Sequence, residues 1–267
     1  MTDKIDCAQN VLDGEGRPYH IGVGPGEVSP LVLLVGDPAR AERASRRFTT
    51  LEGTWSHREF TTHTGLFEGA RVSVMATGIG CDNTEIAVIE LSQLLERATL
   101  LRAGTCGAVD PELSIGDLVV TWGAVRLENT STHFVPEGYP AVAHPDVIDA
   151  LRRSAEESGA PWRLGMTATA SGFYGAQGRS IDGFPPRRPE LIEELARVGV
   201  SNIEMETSTL LTLASLRGFR AGAVCTVFAE RSRNRFVSKA EKHDLEDRVV
   251  DVALRALVAL DGGESAD

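Results

Sequence analysis

The sequence predicts an α/β domain: a central mixed β-sheet flanked by helices. Three observations carry that prediction. Continuous apolar runs such as LVLLV at Leu31–Val35 mark strands buried on both faces. Segments with helical apolar spacing alternate with them along the chain. Glycines and prolines punctuate the ends of the apolar runs, and neither a linker nor an internal repeat divides the chain.

The elements follow in order. Residues 1–19 are polar and contain glycine, and read as a loose arm ahead of one domain spanning 20–261. The strand at Leu31–Val35 stops at Gly36-Asp37-Pro38, where Pro38 can occupy the first position of a helix over 39–48. Residues 71–76 form a strand that ends in Thr77-Gly78-Ile79-Gly80. A helix over 83–96 follows, with Ile86, Ile89, Leu91, Leu94 and Leu95 as its apolar face. Strands are predicted at 99–107, 117–125, 164–170, 201–205 and 220–229. Helices are predicted at 189–198, at 206–217 closed by Gly218, and at 239–260. Residues 262–267 are a polar tail.

Bulk properties narrow the partners. The chain has 267 residues, 42% hydrophobic and 24% charged, with a net charge of −11. That balance speaks against nucleic-acid or anionic-membrane surfaces, which need basic faces. No apolar run reaches membrane-spanning length. Cys7, Cys81, Cys106 and Cys225 are scattered without a C-x-x-C pair, so neither a disulfide framework nor a zinc site is expected. With no apolar leader after Met1, a reducing cytoplasm is the expected compartment.

The residues that could carry chemistry begin with Arg102. It sits inside the apolar strand Thr99-Leu100-Leu101-Arg102-Ala103, with no acid near it in sequence. A buried guanidinium needs a partner, either distant in the chain or from solution. Its fork suits carboxylate or phosphate, and the turn after it offers the Thr105 hydroxyl. Gly36 with Arg40, Gly78 with Gly80, and Arg102 with Thr105 all stand at strand ends, where ligands of such sheets bind. Arg40 alone also reads as a solvated helix residue, and Arg58 could pair with Glu59.

Ile203-Glu204-Met205-Glu206 places two carboxylates two residues apart. Either could accept a sugar diol, since an ionised carboxylate takes two donors; Glu206 could equally open a helix. Phe173, Gln177 and Arg179 lie just after a strand; Gln177 and Arg179 complement the O4, N3–H and O2 edge of uracil, with Phe173 as a stacking surface, and the segment could equally be a polar loop with one core aromatic. The six histidines show no metal-ligand spacing. Thr77-Gly78-Ile79-Gly80 is only part of a dinucleotide fingerprint, which places an NAD-dependent enzyme last.

Six segments, in order over nearly the whole chain, resemble the hexameric nucleoside phosphorylases. They are Val35-Gly36-Asp37-Pro38-x-Arg40, Ser56-His57-Arg58-Glu59-Phe60-Thr61-Thr62, Thr77-Gly78-Ile79-Gly80, Leu101-Arg102-x-Gly104-Thr105-x-Gly107, Phe173-Tyr174-x-x-Gln177-x-Arg179 and Asn202-x-Glu204-Met205-Glu206. The resemblance implies a mixed sheet flanked by helices, assembled as a trimer of dimers with sites shared across the dimer interface. It implies phosphate at Gly36, Arg40, Arg102 and Thr105, completed by Arg58 of a neighbouring copy. Ribose would meet His20 of that neighbour, Thr105, Glu204, Met205 and Glu206. The base would meet Phe173, Gln177, Arg179 and Arg231. Arg179, Gln177, Arg102 and Glu206 would carry catalysis.

Within the family, the Gln177-x-Arg179 pattern resembles the uridine-cleaving branch. Residues 226–231 read Thr-Val-Phe-Ala-Glu-Arg, without the Ser-Asp pair of purine-cleaving bacterial relatives. The implied reaction joins uridine and inorganic phosphate as substrates, in pyrimidine nucleoside salvage, with no cofactor required. A potassium ion at Glu59, Ile79 and Asn83 is also implied, although Asn83 replaces a serine of the family. Cys106 replaces a threonine, and Gly175-Ala176 replaces a Pro-Gly pair. The competing expectations are a purine nucleoside phosphorylase, a nucleosidase of the same fold using water, and a non-catalytic nucleoside-binding protein.

Overall fold

The computed structural model describes Gln9 and residues 11–261. The first half of the chain runs β1 (Leu31–Val35), α1 (Pro38–Ser45), β2 (Thr50–His57), β3 (Phe60–Phe67), β4 (Ala70–Ala76), α2 (Cys81–Leu94), β5 (Thr99–Ala108) and β6 (Leu118–Leu127). The second half runs β7 (Ala141–Val142), α3 (Pro145–Glu157), β8 (Trp162–Ala170), α4 (Leu191–Arg197), β9 (Val200–Glu204), α5 (Thr207–Arg217), β10 (Arg220–Glu230), β11 (Arg235–Phe236) and α6 (Lys242–Ala259).

The strands join in the order β11-β10-β6-β8-β9-β5-β1-β4-β3-β2, and β10 also pairs with β5. That extra pairing closes β5, β10, β6, β8 and β9 into a ring. Strands β1, β4, β3 and β2 extend from β5 as an open wing. The sheet is mixed: β1 runs parallel to β4 and β5, whereas β2–β3–β4 and β5–β9 are antiparallel.

Strand β1 shows why apolar runs become central strands. Leu33 and Val35 join the core shared with α1, α3 and α6. Val32 and Leu34 point the other way, into the core beneath α2 and α5. Each fully buried leucine contributes about 1.5–3 kcal/mol, which is why a strand covered on both faces carries no polar residue. A third core holds α4 against β8 and β9 through Leu191, Leu195, Ala168 and Ile203.

The α/β class and most elements agree with expectation, with ends shifted by a few residues. Three parts differ. The hairpin β2–β3 and helix α3 are not assigned by the sequence reading. Strand β3 buries Thr62, His63 and Thr64, which mask an apolar period. Two of them find partners: Thr64 Oγ1 donates to the Glu27 carbonyl at 2.8 Å, and Thr54 Oγ1 lies 3.0 Å from His63 Nδ1, whereas Thr62 Oγ1 and His63 Nε2 are buried without one. Helix α3 buries Ala150, Ser154 and Ala155 beside Val147 and Leu151; small residues give a weak hydrophobic signal. The third correction concerns the arm. Residues 11–19 are pinned, because Leu12 bridges Pro18 and Asp13 accepts from the backbone N–H of Glu15 and of Arg17. Arg17 also pairs with Glu27. Residues 1–8, 10 and the tail 262–267 lie outside the described residues.

Among the described residues, no helix is long and apolar enough to cross a membrane. Cys81, Cys106 and Cys225 are free and buried.

The hairpin depends on close backbone approach at Gly65. A Cβ there would stand 2.2 Å from the Thr50 carbonyl oxygen. Backbone cannot yield as a side-chain end does. Gly65→Ala is therefore expected to cost about 1–3 kcal/mol, the usual scale of overpacking, read as a lower midpoint in denaturant unfolding. An unchanged midpoint refutes the contact.

Candidate functional site

Strand β5 changes neighbours partway along one edge. Its last pair with β1 is Leu34 with Arg102. Its first pair with β9 is Gly107 with Ile203. Along 103–106 that edge has no strand partner, and a cavity of about 760 Å³ opens there. This is a switch point of the sheet, where ligands of α/β folds bind. The lining includes Gly36, Arg40, Arg102, Thr105, Glu204, Met205 and Glu206. Phe173, Gln177 and Arg179 line the same cavity, as do Glu59, Ile79 and Asn83.

Arg102 is 6% exposed and finds its partners a hundred residues further on. Its Nε donates to Glu204 Oε2 at 3.0 Å, and its Nη2 lies 2.5 Å from Glu206 Oε2. Burial alone would lower its pKa; the two carboxylates outweigh burial and hold it above the ordinary arginine value. Gly104 makes room for this group, because a Cβ there would lie 2.8 Å from Arg102 Nη2 and 2.9 Å from Cys225 Sγ.

The two carboxylates differ in their surroundings. Glu204 ends β9, and its oxygens accept from Thr169 Oγ1, Arg102 Nε and the backbone N–H groups of Glu206 and Thr207. It thereby satisfies donors that the start of α5 leaves unpaired. Its oxygens are thus occupied by donors of the protein, although the residue lines the cavity. Glu206 takes Arg102 on one oxygen and the Gly80 N–H at 2.6 Å on the other, and it keeps lone pairs toward the cavity. Burial raises its carboxyl above the ordinary value of 4.5; Arg102 opposes the rise and the Glu204 charge adds to it.

Arg40 is buried, not solvated. Asp37 caps α1 by accepting from the Ala39 N–H at 2.9 Å, with Pro38 at the helix start. One turn of helix then places Arg40 against the gap in β5. Its Nη1 donates to the Ala103 carbonyl at 3.4 Å. Its Nε is buried and unpartnered.

On the base-side loop, Gly175–Gln177 forms a 3-10 turn. The Arg179 guanidinium stacks 4.1 Å from the Phe173 ring centroid and donates from Nε to the Phe173 carbonyl at 2.9 Å. Burial lowers the Arg179 pKa. Arg231 does not line the cavity; its Nη2 donates to the Gln177 carbonyl at 3.0 Å, so it supports the loop from behind. Burial, then the Arg179 charge, pull it down to about 10.

His20 and Arg58 also lie off their own chain's cavity. His20 Nδ1 is 2.6 Å from Glu90 Oε1. Arg58 sits between β2 and β3 with φ 52°, exposed, and donates to the Tyr19 hydroxyl at 3.0 Å. Phe228 and Phe236 line the cavity without having been singled out in the sequence. An aromatic in the polar stretch 231–238 was the available signal for Phe236, which is 63% exposed. No group of three or more metal-ligating His, Cys, Asp or Glu occurs among the described residues.

A ring of strands with a wing, and an anion-friendly gap beside a buried carboxylate, define a class as well as a shape. The phosphorylase superfamily model matches residues 30–260, and the chain belongs to that superfamily. Over 244 residues it is 43% identical to the uridine phosphorylase of Thermococcus kodakarensis, covering 91% of this chain and 88% of that protein. A Trypanosoma brucei nucleoside phosphorylase, whose crystal structure is described as showing uridine phosphorylase activity, superposes with a TM-score of 0.84 at 26% identity. That match covers 94% of this chain and 99% of the other. A Toxoplasma gondii purine nucleoside phosphorylase, solved with immucillin-H, superposes at 0.83 with 29% identity over 94% and 98% of the two chains. The fold is thus common to pyrimidine- and purine-named relatives, and the choice between them rests on site residues.

Proposed function

We propose that the chain catalyses reversible phosphorolysis of uridine to uracil and α-ribose 1-phosphate. The observation that carries this reading is a single cavity holding Arg40, Arg102 and Thr105 at the β5 gap together with Glu206 and the Gln177-x-Arg179 pair. Similarity to a uridine phosphorylase over most of the chain supports the same reading. Phosphate is the co-substrate and no cofactor takes part. A nucleosidase would have no use for anion-binding arginines, and a purine enzyme would have no use for a uracil-reading Gln–Arg pair.

In this mechanism the glycosidic bond stretches first, leaving an oxocarbenium-like ribose and a uracil anion. Gln177 and Arg179 stabilise the departing base, as donors placed where charge develops. Phosphate held by Arg40, Arg102, Thr105 and the Gly36 turn stabilises the cation and then attacks C1′. Glu206, beside Met205, accepts the ribose hydroxyls and orients C1′ toward phosphate. Glu204 holds Arg102 and the start of α5. Arg231 acts on the base through Gln177.

His20 and Arg58 enter the proposal as residues given to a second copy's site, in a hexamer built as a trimer of dimers in a reducing cytoplasm. Arg58 stands exposed beyond its own cavity, where it can serve a neighbour. Glu59, the Ile79 carbonyl and Asn83 supply oxygens of the kind a hard cation takes, and Asn83 Nδ2 already reaches the Ile79 carbonyl at 3.5 Å. A potassium ion there would add positive charge at the rim and take no part in bond making.

Absorbance-monitored cleavage should show uridine consumed only when phosphate is present, with inosine left intact. Cleavage in phosphate-free buffer would favour the nucleosidase, and preference for inosine the purine enzyme. Arg179→Ala is expected to lower turnover by roughly 100-fold, the scale of one lost oxyanion donor; a folded variant at full rate removes that role. Glu206 accepts hydroxyls only when ionised, and its raised carboxyl takes up a proton at higher pH than a solvated glutamate. The KM for uridine at saturating phosphate should therefore begin to climb, as pH falls, before the ordinary glutamate value of 4.5 is reached. A KM flat down to that value contradicts the assignment.

A further inference from the structure

We propose that Glu246, on α6, is the positioning residue of the phosphate site: it fixes the Arg40 guanidinium without touching a ligand. The inference rests on the phosphorolysis reading and deepens it.

Glu246 lies 206 residues from Arg40, and its side chain is 1% exposed. Its Oε1 accepts from Arg40 Nη2 at 2.8 Å and lies 3.9 Å from Lys242 Nζ. Its Oε2 accepts from Arg43 Nη2 at 2.5 Å and lies 3.4 Å from His243 Nδ1. Burial alone would raise this carboxyl. The Arg40 charge and hydrogen bond, then Lys242 and Arg43, overcome burial and hold it below the ordinary value. The carboxylate therefore stays ionised when the pocket is at work.

The geometry at Arg40 shows what this pairing achieves. Nη2 is tied to Glu246 and Nη1 leans on the Ala103 carbonyl, so the Nε–H is buried without a partner and each Nη keeps one further N–H. A guanidinium on a long flexible stem loses less freedom on binding when its orientation is already set. Two opposing effects follow from removing Glu246. Coulomb attraction alone predicts tighter phosphate, because a nearby negative charge is gone. Loss of position predicts weaker phosphate, because Arg40 swings and is repelled by Arg43. The buried two-point geometry favours the second.

The test compares Glu246→Gln with the parent by calorimetric titration of inorganic phosphate and by steady-state kinetics. The expected result is a rise of about tenfold in the Kd and KM for phosphate, the scale of one lost charge-assisted hydrogen bond. The KM for uridine should stay within about twofold, since only the phosphate end is disturbed. Glu246→Asp, charged but shorter, should fall between the two. Arg43→Gln, which spares the Arg40 pair, should bind phosphate within about twofold of the parent. Unchanged or tighter phosphate in Glu246→Gln, or KM values for phosphate and uridine rising together, would overturn the proposal. If Glu246→Gln does not fold, the same selective shift is required of Glu246→Asp, and its absence is decisive. A parent that binds phosphate but leaves uridine intact overturns the phosphorolysis reading and not the role of Glu246, because calorimetry needs no nucleoside. A parent that does not bind phosphate overturns both.

Discussion

A buried arginine held between two carboxylates is the constraint on which the rest of this molecule depends. Arg102 is the last residue of β5 to pair with β1. Beyond it the strand edge is bare until β9 arrives at Gly107. A guanidinium at such a break must be compensated, since leaving a buried charge unpaired costs several kcal/mol (about 3–5 when one partner is removed). Glu204 and Glu206 provide that compensation, and to do so β9 must end and α5 must begin beside the gap. The ion cluster therefore helps set the register between the two halves of the chain. Glu204 shows the coupling most directly, because the same carboxylate that grips Arg102 also caps the first turn of α5.

Charge balance explains why one chain alone gives an incomplete pocket on the proposed reading. Arg40 is paired with Glu246, and Arg102 with Glu204 and Glu206. A phosphate dianion arriving there meets guanidiniums that are already neutralised. Further positive charge is needed, and the exposed Arg58 of a second copy is of the right kind to supply it. The raised carboxyl of Glu206 belongs to the same balance: it is the acid on which crowding by Glu204 and burial converge. On the base side the arrangement is reversed. Burial, and after it the Arg179 charge, lower Arg231 to about 10, and neither arginine makes an ion pair with a carboxylate among the described residues. Surplus positive charge suits a leaving group that departs as an anion.

Much of this was legible in the sequence. The apolar runs located the central strands, because side chains covered on both faces are mostly apolar. An arginine inside such a run announced the site. What stayed hidden was of two kinds. Strand β3 buries Thr64 and His63, whose partners come from Ser73, Glu27 and Thr54. Satisfied polar groups leave no periodic trace in the chain. The ring was hidden as well, since β10 pairs with both β5 and β6, and no local pattern records which edges meet. Arg231 was singled out for the base, yet its guanidinium donates to the Gln177 carbonyl; residue type revealed the charge but not its direction.

The two carboxylates of Ile203-Glu204-Met205-Glu206 show the limit of sequence reasoning most sharply. Two residues apart on a strand, they look interchangeable. The strand ends at Glu204, and the chain turns into α5 immediately after it. That single change of direction points Glu204 inward, where four groups of the protein consume its acceptors. Glu206 is left with one backbone donor, one guanidinium and an open side. The different surroundings of the two carboxylates thus follow from where the strand stops, and Arg102 pairs with both across that stop.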